Sequence, residues 1–137
     1  AIIIGLAAFH DAEKGLIRGK NIVFVVAMDE LTICHLGDLG TPLKESEIEE
    51  LGKVDILMVP VGDMSALNAT AAARLVRQIE PSIVIPMHYQ LPDSTRELEP
   101  VGRFLSEMGA NEVMAQPKLN VSRANLPLSM QVVVLEA

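Results

Sequence analysis

Along the chain, unbroken apolar blocks alternate with stretches whose apolar positions recur every three or four residues. Ile2 to Phe9, IIIGLAAF, is the first block and predicts a buried strand. The stretch NIVFVVAMDELTICHLG predicts a hairpin, with Ile22 to Ala27 and Leu31 to His35 as its arms and a turn near Asp29 and Glu30. Ile56 to Pro60 and Ser82 to Pro86 read as further buried strands, and Val132 to Leu135 as a closing one. Between them, Lys44 to Leu51 predicts a short acidic helix stopped by Gly52. Asn68 is a helix N-cap residue, and Ala72, Leu75, Val76 and Ile79 after it make one amphipathic face that Pro81 ends. Pro100 to Met108 predicts the last helix, with Val101, Leu105 and Met108 inward and Gly109 as its stop. Strands alternating with helices predict one α/β layered domain over residues 1–137. The strands are apolar almost throughout, the pattern of burial on both faces.

Composition then narrows the function classes. Half of the 137 residues are hydrophobic and the mean hydropathy is +0.33, but no apolar run approaches the roughly 20 residues of a membrane span. No basic segment precedes the first apolar block, so it reads as a strand and not as a secretory leader. The formal charge of −7, with no Trp, one Tyr and three Phe, argues against a nucleic-acid surface. The single cysteine, Cys34, forbids an internal disulfide and fits a reducing cytoplasm. Neither internal repeats nor low-complexity segments are found.

Three positions share one context. His10 follows the strand IIIGLAAF, Asp38 follows LTICHLG, and His88 follows SIVIPM. In layered α/β folds ligands bind beyond the carboxyl ends of strands, where side chains are firmly placed yet open to a crevice. Imidazole and carboxylate suit zinc, manganese or iron. Each has a plainer reading. A strand-end histidine is ordinarily a hydrogen-bonded, partly exposed residue, and an aspartate with glycines nearby, as in HLGDLG, ordinarily makes a turn. His35 lies inside its strand and reads as structural, or as support for a ligand at most. Asp11 could orient the imidazole of His10 or be a solvated loop acid. Asp63 in PVGD could support a site or shape a turn, and Tyr89 could bond a substrate or cover the site. Cys34 and the methionines Met28, Met58, Met64, Met87 and Met108 read as core residues. Lys14, Arg18 and Lys20 could meet an anionic substrate, but a solvated loop explains them as well.

Taken in order, the segments FHD, RGKNIVFVV, ICHLGDLG, VDILMVPVGD and PSIVIPMHY resemble the C-terminal half of a metallo-β-lactamase-fold hydrolase. They are similar in particular to the branch of zinc-dependent hydrolases related to ascorbate-6-phosphate lactonase. The resemblance implies an α/β fold that is one half of an αββα sandwich, a mixed sheet with helices on one face. It implies that His10 is a ligand of a first metal, that Asp38 bridges two metals and acts in catalysis, and that His88 is a ligand of the second. The implied cofactor is zinc, or manganese or iron, as two ions in the complete protein. The family's HxHxDH signature is not found in this sequence, and with only three histidines the chain cannot supply it by another route.

A hydrolytic metal site needs about three protein ligands and an open position for water. His10, Asp38 and His88 number three but are divided between two metals in the family, so this chain alone is expected to hold metal weakly or not at all. The leading expectation is a metal-dependent hydrolase of a lactone, ester, amide or phosphodiester whose HxHxDH half lies outside this chain. The rivals are a non-catalytic half-domain acting as a binding or assembly module, and an α/β domain in which the three residues never meet. Expected partners are a small-molecule substrate, and the other half of the fold or a second copy in a homodimer. No nucleic acid or membrane is expected.

Overall fold

The computed structural model describes residues 2–9, 20–63, 67–93, 95 and 97–136. Among them the apolar blocks form one six-stranded sheet in sequence order. Strands β1 (Ile2–Phe9), β2 (Lys20–Met28) and β3 (Leu31–His35) are antiparallel neighbours. From β3 onward β4 (Ile56–Pro60), β5 (Ile83–Met87) and β6 (Gln131–Val132) are parallel. The sheet is therefore mixed, as expected. The β2–β3 hairpin closes tightly because Asp29 and Glu30 both take left-handed φ, 50° and 62°. A two-residue turn of that kind matches the natural twist of the strands.

Helices α1 (Glu45–Leu51), α2 (Ala69–Ile79) and α3 (Val101–Glu107) follow the predicted spans closely. The Asn68 Oδ1 accepts the Ala71 N–H at 3.0 Å, which caps α2. Residues of all three helices join Val23, Cys34, Leu57, Val59 and Val84 in one core on the first face of the sheet. In α3 it is Phe104, fully buried, that joins this core, with half-buried Met108 packed against it; Leu105 is buried as well, and Val101 is only half-buried.

The second face is covered by chain of a different kind. Leu31, Ile56, Ile83, Ile85 and Val133 make a separate core, with Leu119, Val121 and Leu126 packed over it from the C-terminal segment. A short 3-10 turn, Arg123–Asn125, lies in that segment. Arg123 donates from Nη2 to Asp55 Oδ2 at 2.8 Å and from Nε to the Glu30 carbonyl at 3.0 Å. Asp55 is buried just before β4, and its Oδ2 also accepts the Thr32 N–H at 2.8 Å. The closing strand is earlier and shorter than expected, Gln131–Val132, while Leu135 makes only an isolated bridge to Gln116.

Burial on both faces holds for β4 and β5 but not for the hairpin side. Ile3, Ile22, Phe24 and Met28 lie on the second face of β1 and β2, where none of the described residues covers them, and stay 66%, 50%, 42% and 44% exposed. Met28 is thus a surface residue, against its reading as core.

Candidate metal centre

Strands β1, β3, β4 and β5 point the same way, so their carboxyl ends lie along one edge of the sheet. His35, Met58 and Ile85 are level across β3, β4 and β5. Two further hydrogen bonds, Leu36 N–H to the Met58 carbonyl (3.1 Å) and Val61 N–H to the Met87 carbonyl (3.0 Å), carry the pairing past the strand ends. Asp38 and His88 leave the sheet at corresponding positions, one strand apart, with β3 and β5 about 10 Å from axis to axis. His10, just beyond β1, lies outside the described residues, as do Asp11, Lys14, Arg18 and Met64.

The turn that presents Asp38 is built locally. Leu36 and Leu39 are buried on either side and anchor it in the core. Gly37 between them has φ 63°, a conformation that favours glycine. The Gly37 N–H donates to Nδ1 of His35 at 3.0 Å. This bond leaves a neutral His35 ring with its proton on Nε2, so neither nitrogen has a lone pair to give a metal. Burial first, and then the neighbouring His88, hold the His35 pKa below its ordinary value; a weaker interaction with the residue's own backbone opposes them. The effect of His88 puts the two imidazoles within electrostatic reach of each other, although His35 is no ligand.

His88 is exposed and has φ 53°, left-handed in a residue with a full side chain. Such backbone is uncommon outside glycine, and surrounding structure has to hold it. Here Gly62 does so. A Cβ on Gly62 would collide with the His88 carbonyl oxygen and would lie 2.9 Å from Tyr89 Cα and 3.1 Å from the Glu99 carbonyl oxygen. The Gly62 carbonyl accepts the Glu99 N–H at 2.9 Å, and the Glu99 carbonyl accepts the Gln90 N–H at 3.0 Å. The PVG stretch after β4 and the chain after His88 are thereby locked together. No signal in the sequence marked Gly62, since its neighbours come from distant chain.

Other candidates take plainer roles. The Tyr89 hydroxyl donates to the Leu135 carbonyl at 3.3 Å, so it ties down the C-terminal segment. Cys34 is fully buried in the helix-side core, and burial pushes its thiol pKa up to about 12. Asp63 is buried at the end of the PVGD stretch.

Asp38 and His88 offer one carboxylate and one imidazole, a donor pair that suits zinc, manganese or iron. They fit part of a metal centre and fall one ligand short of a site. Among the described residues no three His, Cys, Asp or Glu side chains group to hold an ion.

The chain is similar in sequence and fold to several known proteins. The family described as a beta-lactamase superfamily domain matches residues 1–88. A UPF0173 metal-dependent hydrolase of Methanopyrus kandleri is 32% identical over 113 residues, covering 78% of this chain and 49% of that protein. Another, from Thermococcus kodakarensis, is 29% identical over 118 residues, covering 84% of this chain and 52% of that protein. The chain thus spans about half the length of these relatives. A Thermotoga maritima structure, titled as a Zn-dependent hydrolase candidate of the metallo-beta-lactamase superfamily, superposes with a TM-score of 0.80 at 33% identity, over 97% of this chain and 63% of that one. Its family match, these relatives and the shared fold together show that this chain belongs to the metallo-β-lactamase superfamily.

Proposed function

We propose that this chain is the C-terminal part of a metal-dependent hydrolase and that His10, Asp38 and His88 are its contribution to a two-metal centre. The observation that supports this most is the alignment of the β3 and β5 carboxyl ends, which send Asp38 and His88 out from one sheet edge in a chain whose relatives are named metal-dependent hydrolases. Asp38 would bridge the two ions, His10 would serve the first and His88 the second. Bound divalent ions supply Lewis acidity toward a carbonyl or phosphoryl oxygen and lower the pKa of a water. The chain's own residues hold the ligands in place: the Gly37 turn for Asp38, and the Gly62 contact for His88. Zinc is the first choice, with manganese or iron as alternatives, and the substrate is a small lactone, ester, amide or phosphodiester. The working compartment is the cytoplasm; among the described residues no helix is long and apolar enough to cross a membrane.

The other ligands would come from an HxHxDH-bearing half of the fold, which in our reading also covers Ile3, Ile22, Phe24 and Met28. The length of the relatives beyond the matched region supports this occupant. The test joins the part of the Thermotoga maritima protein that this chain does not span to residues 1–137. The chimera, loaded with zinc or manganese, should hydrolyse members of a lactone and phosphodiester panel and lose that turnover on Asp38→Ala, while the chain alone should turn over little or nothing. Robust turnover by the chain alone, or chimera turnover that survives Asp38→Ala, overturns the reading.

A further inference from the structure

We propose that His35 is a positioning residue for Asp38, acting through one atom: its Nδ1 accepts the Gly37 N–H and so fixes the turn on which Asp38 is carried. The inference rests on the metal-site reading for what Asp38 does, but not for how the turn is held. The motif ICHLGD places an imidazole two residues before the glycine and three before the aspartate. A side-chain acceptor that takes the N–H two residues on is the geometry by which asparagine and aspartate shape turns. Here histidine does it, at 3.0 Å. The bond sits at the one residue of the turn with left-handed backbone, Gly37 at φ 63°. That N–H leaves the β3 ladder at this point, because the preceding amide, Leu36 N–H, makes the last bond to β4. Without an acceptor from its own chain, Gly37 would turn to water, and the arc from Leu36 to Leu39 would be set only by its two buried leucines. The two ring nitrogens are therefore not equivalent: Nδ1 is committed to the turn, and Nε2 carries the proton.

This asymmetry makes the test sharp, because two amides mimic the two nitrogens separately. Asparagine at 35 puts its carbonyl oxygen where Nδ1 is, and glutamine reaches toward the place of Nε2. We expect the Gly37 amide of His35→Asn to exchange its hydrogen at about the wild-type rate, and that of His35→Gln to exchange about fivefold to tenfold faster, as the loss of one hydrogen bond implies. Nitrogen NMR of the wild-type ring should show Nε2 protonated and Nδ1 bare. In the same samples, Mn(II) should broaden the His88 signals at about equal concentrations in wild type and His35→Asn, and only at about fivefold to tenfold higher Mn(II) in His35→Gln. A merely structural histidine would be replaced equally well, or equally badly, by both amides. Equal exchange in the two variants, or a wild-type ring protonated at Nδ1, overturns the proposal. An Asp38→Ala control separates the two claims. Mn(II) broadening that persists in it sinks the metal reading of Asp38, while the order of Gly37 exchange rates still decides whether His35 holds the turn.

Discussion

Gly62 is kept a glycine by contact and not by conformation. An added methyl meets backbone atoms of His88, Tyr89 and Glu99, none of which can rotate aside as a side chain would. Gly62→Ala should therefore cost about 1–3 kcal/mol, the usual range for overpacking a tight site, and should shift the His88 backbone signals. Urea unfolding and NMR of the variant check this; an unchanged midpoint with unmoved His88 signals would show that the contact gives way freely. His35 makes a second prediction at this scale. Its pKa is lowered in the fold, by burial first and by His88 second. As pH falls through the ordinary histidine value of 6.5, the unfolded chain takes up the proton before the folded one does. The neutral ring's contribution is thus complete above that value and is lost as pH drops through the lower folded value. Between about pH 8 and about pH 5.5 the wild type should lose more stability than His35→Asn, measured by urea midpoints. Equal losses would show that His35 does not titrate below its ordinary value. The sequence exposed Asp38 and His88 through their place after apolar strands, but not Gly62, whose meaning lies in chain far away. The Tyr89 hydroxyl was illegible for the same reason, since its acceptor is the Leu135 carbonyl.

At the scale of elements, strands and helices with their own punctuation were legible nearly to the residue: Asn68 starting α2, Gly52 and Gly109 stopping α1 and α3, and the Asp29–Glu30 turn. The C-terminal segment was not. Its order comes from Arg123, which reaches across 68 residues to Asp55, and from Leu119, Val121 and Leu126, too few and too unevenly spaced to mark a helix or a strand. The closing strand was misplaced accordingly, because β6 pairs where Ser82 and Val84 offer carbonyls, to Gln131 and Val133, and not where the apolar run is longest. Asp55 is 1% exposed and shares one oxygen between Thr32 and Arg123. Arg123→Leu would leave that carboxylate buried with a single amide partner, and breaking a buried pair in this way typically costs about 3–5 kcal/mol; the half-exposed Arg123 places this case toward the lower end. Residues 116–130 should then become cleavable by a low dose of protease while β4 and β5 stay intact. Cleavage no faster than in the wild type would mean that the apolar contacts alone hold the segment.

Over the whole molecule, the helix layer closes the β3–β5 part of one face of the sheet, leaving Ile4 on β1 exposed, and the C-terminal segment closes the β3–β5 part of the other. The remaining apolar strip on β1 and β2 has no cover within the described residues. Contiguous exposed apolar surface of this kind favours association, at about 25 cal/mol per Å² buried. The chain by itself should sediment as a dimer at micromolar concentration and dissociate on dilution, and Phe24→Lys on the strip should shift it toward monomer. A wild-type monomer throughout, with no binding of a hydrophobic dye, would show that the strip needs no partner. The mixed α/β sheet was legible in the sequence from its alternating strands and helices, but which strands would be left bare was not, because that depends on where the C-terminal segment settles. The claim that unites these scales is that one sheet edge carries part of a metal centre. Mn(II) titrated into the 137-residue chain and followed by NMR tests it most directly, since paramagnetic broadening reports even weak binding. Broadening should begin at His88 and the amides around Asp38, and should vanish there in Asp38→Ala. Broadening that begins instead along the acidic Glu45–Glu50 stretch, or that leaves His88 sharp, would contradict it.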